Sequence, residues 1–284
     1  LLSLAAWGGA EASSAASSGS ASQESQSSSE SQSASASGEM LKIGVIQLME
    51  HDSLDQAYQG FVDGLAEAGY VDGENITIVY QNAQGEQANC VTIADKLVAD
   101  QCDLVLAIAT PAAQAMANAT TEIPILVTAV TDPADAKLVE SNEHPGGNVT
   151  GTSDMNPVAE QMNLLKTLVP DAQTVGFLYN SAEANSKLQV DMAREAAEGM
   201  GLECIDFTVS SANEIQQVVE SAVSRVDAFY APTDNVIANG MATVSMITEP
   251  AGIPVICGEE GQVQNGGTAT YGISYYNLGK LTAT

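Results

Sequence analysis

The sequence predicts an α/β fold of two similar lobes, each built on a parallel sheet. Three observations carry the prediction. Short apolar runs of strand length alternate with amphipathic segments of helix length along most of the chain, the pattern of a doubly wound sheet. That pattern then returns weakly about 130 residues later. Ile43-Gly44-Val45-Ile46 reappears as Val175-Gly176-Phe177-Leu178, Asp103-Leu104-Val105-Leu106-Ala107 as Asp227-Ala228-Phe229-Tyr230-Ala231, and Ile123-Pro124-Ile125 as Ile253-Pro254-Val255. Finally, 45% of the residues are hydrophobic but only 5% aromatic, a mixture of small apolar side chains that suits close packing of helices on sheets.

The elements can be justified in order. Leu1 to Ala6 reads as the tail of a signal segment. Leu4-Ala5-Ala6 resembles a bacterial lipobox in which a cysteine comes next, but Trp7 stands there. Residues 1–7 are therefore expected to be a leader remnant, and the Ser-, Ala- and Gln-rich residues 8–39 a disordered linker that cannot bury enough apolar surface to fold. Leu41 to Ile46 is a buried parallel strand. Ser53 and Gln56 suggest a capping box opening a helix whose face is Leu54, Tyr58, Phe61 and Leu65, closed by Gly69 as a left-handed cap. Ile76, Ile78 and Tyr80 form the next strand; Cys90, Ile93 and Leu97 stripe a second helix; Leu104–Ile108 and Ile123–Val127 are further strands. Glycines 146, 147 and 151 place the junction of the lobes near Asn148 to Ser153, with Asn156-Pro157 capping the first helix beyond it. Lobe one is expected to comprise 40–151 plus 273–284, and lobe two 152–272.

Charge and motifs exclude several functions. Eight basic residues face thirty-six acidic ones, a formal net charge of -28; such a chain repels phosphate backbones and anionic lipid, so neither nucleic acid nor a bare membrane surface is an expected partner. There is no GxGxxG, GxxxxGK[ST] or HExxH, and Gly151-Thr152-Ser153-Asp154-Met155 lacks the closing glycine of a nucleophile elbow. No catalytic residue, metal or cofactor is expected. Cys90, Cys102, Cys204 and Cys257 show no CxxC spacing and read as small buried hydrophobes, with a Cys90–Cys102 bridge left open.

Open α/β sheets bind ligands beyond the carboxyl ends of their strands. In lobe one those ends offer Gln47, the Thr110-Pro111-Ala112-Ala113 turn, Thr128 and Thr131. With Pro111 in the first helical position and Thr110 as N-cap, the free amides of that turn suit an anion, and Ala112 and Ala113 allow close approach. In lobe two they offer Asn180, Glu183, Asn185, Ser186, Asp234, Asn235 and Glu259. Hydroxyls and amides on one side and carboxylates on the other divide as a zwitterion would require, with Asp234 and Glu259 the first choice for an ammonium. The alternative is that each acid caps its own helix; Asp132 before Pro133 reads as a cap. His51 is read either as a ligand contact or as a solvated loop residue. Tyr271 is counted with the site, and Tyr271, Tyr275 and Tyr276 are left between lining the cleft and packing a hinge.

Several of these segments also carry a resemblance. Gln47 to Gly60, Ala109-Thr110-Pro111, Thr131-Asp132-Pro133, Asn148-Val149-Thr150-Gly151, Pro232-Thr233-Asp234-Asn235, Gly258-Glu259-Glu260-Gly261 and Ala269 to Tyr276 together resemble the ABC transporter substrate-binding family that includes tryptophan- and tyrosine-type binding proteins. The resemblance spans about residues 40 to 284 and implies a type I periplasmic-binding fold with two Rossmann-like lobes, an amino-acid-like, aromatic ligand held between them by hinge closure, no catalysis, and a permease and an ATPase as partners. It implies an extracytoplasmic, cell-surface or periplasmic location, with the membrane reached through a tether or the permease. It also leads us to expect a further helix and closing strand after Thr284, without which the fold would be less stable. Two alternatives stay open: a sensory receptor subunit using the same cleft, and a secreted two-lobed enzyme.

Overall fold

The structure, a computed structural model, describes residues 40–284; the expected leader remnant and linker lie outside the described residues. The chain from Glu39 to Thr284 forms one compact unit. It opens with β1 (Leu41–Gln47), α1 (Asp52–Glu67), β2 (Ile76–Asn82), α2 (Gln87–Ala99), β3 (Leu104–Ile108), α3 (Thr110–Ala119), β4 (Ile125–Val130) and β5 (Val149–Ser153). Then come α4 (Val158–Leu168), β6 (Thr174–Asn180), α5 (Ala184–Gly199), β7 (Glu203–Val209), α6 (Ile215–Ala222), β8 (Ala228–Ala231), α7 (Asn235–Ala251), β9 (Val255–Cys257), α8 (Glu260–Gln264) and β10 (Ala269–Thr270), followed by α9 (Tyr275–Thr282). Two parallel sheets result, ordered β2-β1-β3-β4-β5 and β10-β9-β8-β6-β7.

Counted from the start of each lobe, these two orders are the same. The repeated segments of the sequence fall on equivalent strands: β1 with β6, β3 with β8, β4 with β9. The repeat has a physical content at the strand starts. Asp103 accepts from the Lys42 amide (2.8 Å), and Asp227 accepts from the amides of Gln173 and Thr174 (2.8 and 2.9 Å), so in each lobe an aspartate ties the third strand to the start of the first. Pro124 and Pro254, which have no N–H, give only their carbonyls, to Val105 and Phe229 (2.9 Å each). This is why the fourth strand of each lobe begins after the proline, at Ile125 and Val255, and not at Ile123 as expected.

Most of the local readings of helix α1 hold. Leu54, Phe61 and Leu65 are buried and Tyr58 is packed against them. Gly69 (φ +91°) ends the helix, with its amide bonded to Ala66 and that of Tyr70 to Leu65, the two bonds of a Schellman motif. The capping box does not form. The N-cap lies two residues earlier, at His51, and the Ser53 hydroxyl is drawn away to Glu259 in the other lobe. Likewise Thr110 is inside α3 and Ala109 is its N-cap, while Pro157 is the residue at the N-cap of α4 and Asn156 turns back to the Asp154 carbonyl (3.1 Å).

The first sheet continues through Ser153, so the chain crosses between lobes at 154–157 and crosses back at 271–274. The returning helix α9 lies against α1 through glycines. A Cβ on Gly279 would collide with the Ala57 carbonyl oxygen, and one on Gly60 with that of Tyr276. Lys280 and Glu67 (2.6 Å) and Tyr276 and Asp63 (2.8 Å) pair at the rim of this contact. The four cysteines are free thiols, Cys204 partly exposed and the others buried; the Cys90–Cys102 bridge is absent.

Gly279→Ala tests the helix contact. In an ordinary helix the change stabilises by up to about 1 kcal/mol; here overpacking should reverse the sign and destabilise by about 1–3 kcal/mol, read by urea denaturation.

Candidate functional site

The carboxyl ends of the two sheets face each other across a cleft. At its inner end, beside the crossing segments, is a small cavity of about 10 Å³. His51, Leu54, Ala129 and Thr131 line it from lobe one, and Asn185, Thr233, Asp234, Asn235, Ala238 and Glu259 from lobe two, with Asp154 on the first crossing segment and Tyr275 at the start of α9, just after the second. A second, larger space between the lobes, here called the mouth, shares no lining residue with the cavity and is lined by Met49, Glu86, Pro111, Asn180, Glu183 and their neighbours.

Of the residues singled out in the sequence, Thr131, Asn185, Asp234, Asn235 and Glu259 meet in the inner cavity, and Asn180 and Glu183 at the mouth. Gln47 and Thr128 are buried behind it: Gln47 Nε2 donates to the Met49 carbonyl (2.8 Å) and to Asp55 (2.6 Å), and Thr128 accepts from Thr152 (3.2 Å). Thr110, Ala112 and Ala113 are buried in the first turn of α3, whose Pro111 reaches the mouth. Ser186 is buried beneath Asp234 and hydrogen-bonds its carboxylate. Tyr271 is 60% exposed and lies outside both spaces; its carbonyl accepts from Gln161 (3.0 Å). Its side chain thus faces solvent because the backbone, not the ring, is what the neighbouring helix holds.

Asp234 and Glu259 turn out to be caps. Asp234 accepts from the amides of Ile237 (2.9 Å) and Asn180 (2.6 Å). Glu259 accepts from the amides of Gly261 and Gln262 (2.9 Å each) and from the Ser53 hydroxyl. Glu183 accepts from the amide and side chain of Asn235 and from Asn185. Their acceptor capacity is largely spent inside the protein. Asp132 is a cap as read: its Oδ1 accepts from the amides of Ala134 and Asp135 and from Asn142.

The residue that sequence reasoning missed is Asp154. It is 3% exposed. Oδ2 accepts from the Tyr275 hydroxyl (2.6 Å), and Oδ1 has no partner among the described residues. The signal available in the sequence was an acid directly after β5, in the stretch passed over once its glycine pattern failed as a nucleophile elbow. Ala129 and Ala238 were missed too, being common residues with no motif, and Thr233 was read only as part of the Pro232-Thr233-Asp234-Asn235 run and not chosen for the site. His51 is not a solvated loop residue: it is half-buried, and its Nε2 meets Asn235 Oδ1 across the cleft (3.1 Å). Burial pushes its pKa below the usual value, so the ring is neutral at pH 7.

The site's electrostatics are one-sided. Burial raises the pKa of Asp154, with the Tyr275 hydrogen bond and then the nearby Thr131 hydroxyl offsetting part of the rise. Burial and then the neighbouring Asp234 raise that of Glu183; burial raises that of Asp234 and pushes Glu259 up to about 7. No Lys or Arg lines the cavity or its mouth. Two backbone positions at strand ends are strained: Ala109 (φ +82°) after β3 and Ala129 (φ +54°) in β4, conformations that L-residues rarely adopt away from functional sites.

The fold is thus two-lobed and α/β, with a polar cavity between the carboxyl ends of its sheets. Comparison with known proteins gives the family: residues 42–284 match the model of the ABC transporter substrate binding protein family, and the chain belongs to it. A tyrosine-binding protein of Clostridioides difficile is 46% identical over 243 residues, which are 86% of this chain and 70% of that one. A solved ABC domain from Streptococcus pneumoniae, in complex with L-Trp, is 44% identical, with a TM-score of 0.84 over 86% of this chain and 83% of that one. The ligand-free, open structure of a substrate binding protein with adhesive properties from Clostridium difficile is also 44% identical over the same shares, but its TM-score is 0.62. A leucine binding protein from Thermotoga maritima, 17% identical with a TM-score of 0.60, shares the fold. These relatives are substrate-binding proteins and not enzymes.

Glu259 makes the electrostatics measurable. Its folded pKa of about 7 exceeds the ordinary 4.5. The native state therefore holds its proton more tightly, and the associated stability is fully present below pH 4.5 and lost as pH rises through 7; the shift corresponds to roughly 3 kcal/mol at most. The melting temperature of the ligand-free protein should fall between pH 5 and pH 8, and Glu259→Gln should flatten that slope.

Proposed function

We propose that this chain is the extracytoplasmic binding component of an ABC importer, which captures an aromatic amino acid between its lobes and delivers it to a permease driven by an ATPase. The observation that carries the ligand class is Asp154: a buried carboxylate oxygen without a partner, on the wall of a cavity that several carboxylates line or approach and no Lys or Arg enters. An uncompensated buried carboxylate is costly, and an ammonium supplies both charge and hydrogen bond. Asp154 thus takes the place first given to Asp234 and Glu259. The ligand carboxylate falls to lobe one, where the Thr131 hydroxyl lines the cavity and the Thr110 and Ala112 amides make no backbone hydrogen bond among the described residues.

Hinge closure accompanies capture. The lobes already touch across the cleft at Ser53 with Glu259, His51 with Asn235, Thr131 with Thr233 and Asp52 with Asn265. The higher TM-score to the L-Trp complex than to the open structure, at equal identity and coverage, supports reading this arrangement as the closed state. A ligand bridging the lobes favours that state by its differential contacts. The aromatic side chain of the ligand is supported by what the relatives are named as binding.

Asp154→Asn should keep the Tyr275 contact and weaken binding of L-tyrosine and L-tryptophan by about 100-fold or more, the cost of removing one charge from a buried pair, measured by isothermal titration. Unchanged affinity would remove Asp154 from the site.

A further inference from the structure

The cavity holds a second orphaned acceptor. Asn185, near the start of α5, is 6% exposed and lines the cavity, and its Oδ1 has no partner among the described residues. The other end of the amide fixes its orientation. Nδ2 donates to the Thr233 carbonyl (3.0 Å) and to Glu183 Oε2 (3.2 Å). Turning the amide over would place oxygen against a carbonyl and a carboxylate and lose both bonds. The oxygen is held free by its own neighbours.

A buried acceptor left empty is expensive; Gln47 Oε1, Asn156 Oδ1 and Thr270 Oγ1 are also without partners among the described residues, but of the five only Asp154 and Asn185 line the cavity. Asp154 and Asn185 differ in kind: one is a carboxylate on the crossing segment, the other a neutral amide in lobe two. A charged acceptor suits an ammonium; a neutral one suits an uncharged O–H or N–H. Leu54, Ala129 and Ala238 add apolar surface to the same cavity.

We propose that Asn185 Oδ1 accepts a hydrogen bond from a donor on the ligand's aromatic ring, so that the site selects the phenol of tyrosine or the indole of tryptophan over phenylalanine. The inference rests on the reading of the cavity as an amino-acid site. Phenylalanine would leave Asn185 unpaired, and sites built to bond a polar group discriminate strongly against the analogue that lacks it.

The test titrates the chain with L-tyrosine, L-tryptophan and L-phenylalanine, and repeats this with Asn185→Leu. The wild-type protein should bind tyrosine and tryptophan at least about tenfold more tightly than phenylalanine. In Asn185→Leu, of similar volume but without the acceptor, that preference should shrink to within about threefold, with phenylalanine no weaker than before. Equal wild-type affinity for all three would overturn the inference while leaving the amino-acid site intact. A variant that weakens all three alike would also overturn it, by placing the ammonium on Asn185. Failure of the wild-type chain to bind any of the three would instead bring down the amino-acid reading itself. The wild-type comparison needs no variant, so a poorly folding Asn185→Leu does not shield the proposal.

Discussion

Asp154 sits where the chain leaves the first lobe and Tyr275 where it returns, and a single buried hydrogen bond of 2.6 Å joins them. That contact ties the two crossing segments together next to the cavity. It depends in turn on α9 being held against α1, where Gly60 and Gly279 let the backbones meet more closely than any side chain would allow. The carboxylate so placed is buried without a cation, and only one of its oxygens is used. The first crossing segment therefore carries an electrostatic deficit that the described residues do not correct.

The rest of the cavity follows from this constraint. The other carboxylates are consumed by the chain: Asp234 and Glu259 cap helices, and Glu183 holds Asn235 and Asn185. Using acids as caps places negative charge at helix N-termini, where the dipole favours it, and it aims those helix ends at the cleft without adding free acceptors to it. What remains unpaired are two oxygens of different character, on Asp154 and Asn185. The lobes meet around them through polar contacts that are individually weak and partly exposed at the rim, such as Asp52 with Asn265 (2.6 Å). In the function proposed above, such contacts would hold a closed state without locking it.

Much of the fold was legible in the sequence because strand length, helical stripes and the internal repeat are local signals. The repeat even reflected shared work: Asp103 and Asp227 tie strands, and Pro124 and Pro254 set where strands begin. Element boundaries slipped where a side chain had a better offer from afar. Ser53 looks like a cap but bonds Glu259, more than two hundred residues on in the chain. The site was half legible. Strand-end reasoning finds Thr131, Asn185, Asp234, Asn235 and Glu259, since topology alone puts them in the cleft. It over-includes Gln47 and Thr128, which lie one layer too deep, and Tyr271, whose ring faces solvent. It misses Asp154 because nothing in a sequence tells a capped acid from an uncapped one; that depends on which amides and hydroxyls arrive in three dimensions.

The central claim is that the ligand's ammonium completes the Asp154 carboxylate. The most direct measurement compares the affinity of the unmodified chain for L-tryptophan with that for indole-3-propionate, which keeps the ring and the carboxylate but lacks the amine. The account predicts binding of L-tryptophan and a loss of about 100-fold or more for the desamino analogue. Equal binding of the two would contradict it.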